Sequence, residues 1–505
     1  MALVTFVGVI CLINHFSGHD WGDDFALYMR QTRALTVGNI GEVISDNRFS
    51  VDNSGWHTFS PYSYPWGWPL LIAPVYALFG LNYALFKVVE VIAFCVFLLT
   101  FFALMKQRTS SLVATLLSLL IGLSPIYIGG TGTVLSDIPY LCFAGLSLWW
   151  MGQCRLKGFL DGRGRNQLII MGLLLAFTYN VRREGITLLF AFLALHAVVV
   201  CGPAVRTRSM ARLREVNWRK ASVPYTTFVG AVIIFHLLLP TVLLPSAPGT
   251  GLQNVAARLT FYKDILAQQI GLQDPGSPIM LLGSELAGQR ALLLLVSLAI
   301  LGLVLRLRFR LEEDISLAAF LACSTLLMLV SPYQEGRYLY TITPFLLYFA
   351  YQALPMTVQQ YLRSDTYSLS RVAYAAPALA ISGLLGLNAM ETAQATDYHL
   401  DYHYVVHGPE APDAQEMFAA VKDLTQEDDV ILFFRSRAMT LYTDRRSVMG
   451  ANLEELLPRS DWYVMAKGST YSQKLLTDAE AATYGLTKTW ENTAWIMWRV
   501  PPRSP

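Results

Sequence analysis

The chain has 505 residues, 54% hydrophobic and 15% charged, with a mean hydropathy of +0.41. A soluble domain is nearer to about 45–50% apolar and about 25% charged, so this composition argues against a water-soluble fold. A net charge of +2 gives no global field that would recruit nucleic acid.

Met1 to Phe16 is apolar and lacks the basic flank and small-residue cleavage site of a removable signal peptide, so it reads as a retained membrane helix. Ten further apolar runs follow, near 83–104, 111–127, 138–152, 168–180, 185–201, 223–244, 290–305, 315–331, 341–356 and 372–390. The pattern predicts about eleven transmembrane helices. Lys and Arg collect in alternate loops: Lys106 and Arg108; Arg155 to Arg165; Arg206 to Lys220; Arg306 to Arg310; Arg363 and Arg371. The positive-inside rule makes these loops cytoplasmic, with the N-terminus inside and the C-terminus outside.

The opposite face then holds the long connections 17–82 and 245–289 and everything after about 391. That tail changes pattern: a helix at Asp413 to Leu424 and strands at Val430 to Phe434, Trp462 to Met465 and Trp495 to Val500 predict a small extracytoplasmic α/β domain. The expected division is residues 1–390 as a membrane domain and 391–505 as the appended one. Cys11, Cys95, Cys142, Cys154, Cys201 and Cys323 lie in or just past apolar segments, which implies no disulfide framework.

The first outer loop opens with His19, Asp20, Trp21, Gly22, Asp23, Asp24, Phe25, Ala26, Leu27 and Tyr28. Asp23 stands at a predicted helix start, where a carboxylate suits either helix capping or chemistry. Tyr64, Pro65, Trp66, Gly67, Trp68 and Pro69 lead into an apolar stretch shorter than a span, which fits an aromatic membrane belt or a substrate-facing segment. Asp137 sits at the outer end of the fourth span, and Arg182, Arg183 and Glu184 occupy a tight outer turn. Paired guanidinium groups there oppose the positive-inside bias and suit bidentate phosphate binding, with a structural ion pair to Glu184 as the alternative. Arg337 and Tyr338 lie on another outer turn. Lys87 and Glu90, a helical turn apart, are expected to pair with each other. His399, His403 and His407 share a helical face, more consistent with a juxtamembrane connector than with a metal site.

With these residues in place, the chain resembles the GT-C superfamily of integral membrane glycosyltransferases, especially the bacterial protein mannosyltransferase, aminoarabinose transferase and rhizobial lipopolysaccharide transferase branch. Asp23 to Tyr28 looks like the family's acidic element after the first helix, and Tyr64 to Pro74 like its Tyr-Pro-x-Gly-x-Pro-Leu-Leu segment. Arg183, Glu184 and Gly185 stand where the family has Arg-Pro-Glu-Gly, and Gly336 to Leu339 resembles its Gly-Arg-Tyr-Leu turn. The resemblance implies a mainly α, polytopic GT-C fold in the bacterial inner membrane. It also implies sugar transfer on the periplasmic face, from a polyprenyl-phosphate-linked donor to a glycan, lipid or protein acceptor of the envelope. Asp23 and Asp24 would be catalytic, Arg182, Arg183 and Arg337 would hold the donor phosphate, and Tyr64, Trp66, Asp137, Glu184 and Tyr338 would contact substrate. A divalent cation, Mg or Mn, bridging acid and phosphate is left open, and no other cofactor is implied. A flippase of lipid-linked sugars and a noncatalytic assembly subunit are the alternatives.

Overall fold

The computed structural model describes residues 1–55, 61–160, 164–207, 216–241, 243, 255–272, 285–331, 333–362, 367–401, 407–468 and 471–502. Its helices are α1 (Ala2–Ile13), α2 (Asp24–Val37), α3 (Ile40–Asn53), α4 (Gly67–Phe79), α5 (Tyr83–Lys106), α6 (Ser111–Gly122), α7 (Pro125–Thr131), α8 (Asp137–Leu156), α9 (Arg165–Val181) and α10 (Ile186–Thr207). They continue as α11 (Val223–Leu238), α12 (Val255–Gln269), α13 (Glu285–Phe309), α14 (Leu311–Val330), α15 (Thr343–Thr357) and α16 (Tyr367–Asp401).

Each of the predicted apolar runs contains a helix. Among the described residues, however, only six helices are long and apolar enough to cross a membrane, or seven if the pair α6 and α7, bent by 61°, counts as one broken span. The expected count of eleven is therefore not confirmed by this measure. Helix α1 is too short at 12 residues, as are α9 at 17 and α15 at 15, against the roughly 20 that a bilayer needs. Helix α8 has the length but is not among the qualifying spans, because it begins on Asp137 and carries Gln153 and Arg155 near its end. The six qualifying spans make this a multi-pass membrane protein.

Helix α5 shows how the sequence sets the frame. The Asn82 side chain accepts from Leu85 N–H and starts the helix, and Lys106 lies in its last turn. Its 24 residues rise about 36 Å at about 1.5 Å each, enough to join the two ends of the bundle.

Two elements outside the bundle position the site. Helices α2 and α3 lie in the first loop, and a C-terminal domain covers them. In that domain α17 (Pro412–Leu424) and α18 (Ser436–Thr443) pack with a five-stranded sheet of order β2-β1-β3-β5-β4. The strands are β1 (Val430–Leu432), β2 (Arg446–Val448), β3 (Trp462–Ala466), β4 (Thr487–Glu491) and β5 (Trp495–Arg499). Strand β1 runs parallel to β2 and β3, whereas β5 is antiparallel to β3 and β4. The expected helix and three strands are present. Strands β2 and β4 and helix α18 are additions, short or polar enough to carry no clear period.

The C-terminal domain and the first loop share one core. Trp21, 7% exposed, meets Phe433, Phe434 and Trp495 edge-on at 5.8, 5.2 and 5.4 Å between ring centroids. Polar contacts tie the same seam: Ser50 Oγ donates to Ser447 O (2.6 Å), Gly55 N to Met449 O (3.0 Å), and Arg446 pairs with Asp46 (3.3 Å).

Candidate active site

Asp23 sits at the N-cap of α2 but makes no side-chain cap. Its Oδ1 instead accepts the backbone N–H of Arg437 at 3.2 Å. Arg437 is the second residue of α18, so this N–H belongs to the first turn of a helix, whose donors have no partner within the helix and whose dipole favours an anion. Oδ2 of Asp23 is buried and has no hydrogen-bond partner among the described residues. Burial raises the carboxyl pKa above the ordinary aspartate value, against the opposing pull of Arg437 and Arg435.

Asp24, one residue on, is fully engaged. Tyr64 Oη donates to Oδ1 (2.5 Å), Arg337 Nη2 donates to Oδ2 (3.1 Å), and Arg437 Nη1 stands 3.8 Å from Oδ1. Burial pushes this carboxyl up, but Arg337, the Tyr64 hydroxyl and Arg437 outweigh it and hold the pKa below the usual range.

Arg337 extends the chain of charges to Asp137 Oδ2 (3.7 Å). Asp137 Oδ1 pairs with Arg182 Nη1 at 2.7 Å, and Arg182 Nε reaches Glu184 at 3.1 Å. The Arg182 guanidinium also lies over the Tyr338 ring, 5.4 Å from its centroid. Asp24, Arg337, Asp137, Arg182 and Glu184 thus form one continuous polar track fed by helix starts and turns far apart in sequence.

Local packing explains why these turns are tight. A Cβ on Gly67 would fall 2.6 Å from the Asn180 and Val181 backbone, and one on Gly185 would fall 2.7 Å from Tyr179 N. Only glycine lets α4 cross the end of α9 and lets the Arg182 to Glu184 turn close on itself.

Other expected site residues lie elsewhere. Arg183 turns away from the track: its guanidinium lies over the Tyr179 ring at 4.4 Å and donates to Tyr179 O at 3.1 Å. Trp66 is completely buried and its indole N–H donates to Pro240 O (3.0 Å), a packing position. Lys87 and Glu90 do not pair with each other. Lys87 Nζ donates to Phe16 O and Gly18 O (2.7 and 2.6 Å), while Glu90 Oε1 accepts from Leu135 N (3.1 Å); each neutralises backbone groups that the broken helices leave open. His399 packs on Phe16, and His403 lies outside the described residues.

Sequence reasoning missed Arg437. Its side chain, 2% exposed, donates to Asn47 Oδ1 (2.9 Å), Tyr64 Oη (3.1 Å) and Pro61 O (3.0 Å). No local signal marks it, since Ser436 to Thr443 reads as an ordinary polar helix of a surface domain.

The carboxylates fit a divalent cation poorly. Both oxygens of Asp24 accept from arginine or tyrosine, and Asp137 is flanked by Arg182 and Arg337; among the described residues of this site the carboxylate oxygens without a hydrogen bond are Oδ2 of Asp23 and Oδ2 of Asp137, the latter 3.7 Å from Arg337. Hard cations take six or more oxygen ligands or keep several waters, and the flanking guanidinium groups would repel one. Among the described residues no three metal-ligating side chains converge.

No family model matches the chain, and no curated protein matches it. Solved structures do. ArnT from Cupriavidus metallidurans, bound to undecaprenyl phosphate, aligns over 99% of both chains with a TM-score of 0.54 at 10% identity. The same protein in the apo state aligns over 99% and 98% with a TM-score of 0.54 at 12% identity. The archaeal oligosaccharyltransferase AglB from Archaeoglobus fulgidus, in complex with an inhibitory peptide and a dolichol-phosphate, aligns over 92% of this chain and 69% of its own, with a TM-score of 0.52 at 12% identity. ArnT is an aminoarabinose transferase, and both proteins are GT-C membrane glycosyltransferases. The aligned length takes in the helical bundle, the first loop and the terminal domain together, and the chain therefore has the GT-C fold.

Proposed function

We infer that this protein is a glycosyltransferase that moves a sugar from a polyprenyl-phosphate-linked donor to a hydroxyl or amine of an envelope acceptor, with inversion. One observation carries the reading: the buried Oδ2 of Asp23, without a hydrogen-bond partner among the described residues, beside a track of alternating acids and arginines. An acceptor proton is the missing partner. In the proposed step Oδ2 takes that proton as the acceptor oxygen or nitrogen forms its bond to the anomeric carbon. The bond from that carbon to the phosphate oxygen breaks, and the electron pair leaves on the phosphate.

Arg182 and Arg337 would hold that phosphate through the developing charge, which lowers the barrier without a general acid. Tyr64 and Arg437 keep Asp24 ionised next to it, and Asp24 in turn orients Arg337. Undecaprenyl phosphate in ArnT and dolichol-phosphate in AglB support a lipid phosphate as leaving group. The alternation of basic loops supports a site on the side opposite the cytoplasm, which in the bacterial inner membrane would be the periplasmic one.

The test is transfer by purified protein from a matched polyprenyl-phosphate sugar. Asp23→Asn should lower kcat by about 10²–10⁴-fold, the usual worth of a general base, with folding unchanged. Wild-type turnover in that variant would remove Asp23 from the chemistry. Translocation of the carrier across vesicles without covalent transfer would replace the enzyme with a flippase.

A further inference from the structure

At the far end of α5 from the first loop lies a polar cavity of about 320 Å³. It opens between the α5–α6 turn and the ends of α13, α15 and α16. Arg108, Arg306, Arg310 and Glu313 line it together with Gln359 and Tyr374. Three guanidinium groups against one carboxylate leave positive charge in excess, even after Asp314 behind the wall is counted.

Two of these arginines are fixed in place. Arg108 pairs with the fully buried Asp314 at 2.8 Å and donates to Glu313 O (2.6 Å). Arg306 bonds the other oxygen of Asp314, and Tyr348 Oη donates to the same carboxylate (3.1 Å). The Arg306 side chain is 6% exposed and its Nη2 pairs with Glu313 at 2.8 Å, yet among the described residues Nη1 meets only the Met356 sulfur at 4.0 Å. Arg310, 45% exposed, stands at the rim with a long 3.8 Å contact to Glu313.

The surface beside the mouth is apolar and aromatic: Tyr361 is 54% exposed, Val372 59% and Tyr374 49%. Tyrosines at this level mark a headgroup boundary. A rigid guanidinium pocket opening between helices at that boundary has the form of an anionic-lipid headgroup site.

We propose that this cavity binds the phosphate of an anionic membrane lipid, separately from any donor at the Asp23 site. Arg306 Nη1 and the rim guanidinium of Arg310 take the phosphate oxygens, Gln359 borders the headgroup, and the acyl chains lie along the exposed side of α16.

The experiment is native mass spectrometry of the full-length protein in dodecylmaltoside with dioctanoylphosphatidylglycerol or dioctanoylphosphatidylcholine. Arg310→Glu and Gln359→Glu serve as rim variants, since both residues are exposed and neither bonds Asp314. Phosphatidylglycerol should be retained over phosphatidylcholine, and Arg310→Glu should cut its retention by about tenfold, as expected for reversing a charge at a headgroup. Gln359→Glu should cut it in the same direction, with both variants melting like wild type in lipid-free detergent. Equal retention of the two lipids, unchanged retention in both variants, or displacement of the lipid by millimolar inorganic phosphate would each overturn the proposal, the last by assigning the pocket to a soluble anion.

Discussion

The backbone N–H of Arg437 donates to Oδ1 of Asp23 across 3.2 Å, joining the first turn of a C-terminal-domain helix to the first acid of the outer loop. The same residue's guanidinium favours the charged form of Asp23 against the burial that raises its pKa. A general base works deprotonated, so activity falls as pH drops through that raised value. Arg437→Gln keeps the N–H and removes the cation. The acid limb of its kcat/KM profile should therefore lie at higher pH than in wild type, and kcat/KM at neutral pH should fall about tenfold or more. An acid limb that does not move would detach Arg437 from Asp23.

Asp24 has the opposite linkage. Its folded-state pKa lies below the unfolded one because Arg337, Tyr64 and Arg437 outweigh burial. Its stabilisation is therefore complete above the unfolded aspartate value of about 3.9 and is lost as pH falls through the depressed folded value. Melting temperature against pH should show this acid loss in wild type and a flatter profile in Asp24→Asn.

Arg182 and Arg183 are neighbours with different surroundings. Arg182 faces Asp137 and the polar track, whereas Arg183 lies on Tyr179. Arg182→Ala should raise the KM for the lipid-linked donor by about 10–100-fold, the range for losing a charged hydrogen bond. Arg183→Ala should leave donor KM near wild type and act through stability. Titrating the donor with both variants separates these, and equal KM effects would place Arg183 on the phosphate as well.

Among the described residues a divalent cation finds two carboxylate oxygens without a hydrogen bond here, on Asp23 and Asp137, and the Arg337 guanidinium beside Asp24 and Asp137. Transfer should therefore continue in excess chelator. Activity abolished by chelator and restored by Mg or Mn would reverse that reading.

The membrane bundle was legible because apolar runs and alternating basic loops report burial in lipid directly. The number of complete crossings was less so: hydropathy locates helices such as α9 and α15, but tertiary packing decides where they stop. Asp24, Arg337, Asp137 and Arg182 could be picked out as charges on the outer turns, a place where unpaired charge is costly. Arg437 could not, since its role depends on how a whole domain docks on the first loop. The burial of Trp66 was hidden for a related reason. An interfacial tryptophan and one buried on a Pro240 carbonyl look identical in sequence.

Asp23 and Arg437 are 414 residues apart, so the ribosome delivers the acid long before its counterpart exists. Through most of synthesis the inserted bundle carries a carboxylate with neither its helix-end donor nor its roof. On the function proposed above, a chain stalled before residues 436–443 would hold its base without the N–H that orients it, and would occupy the membrane without turning over.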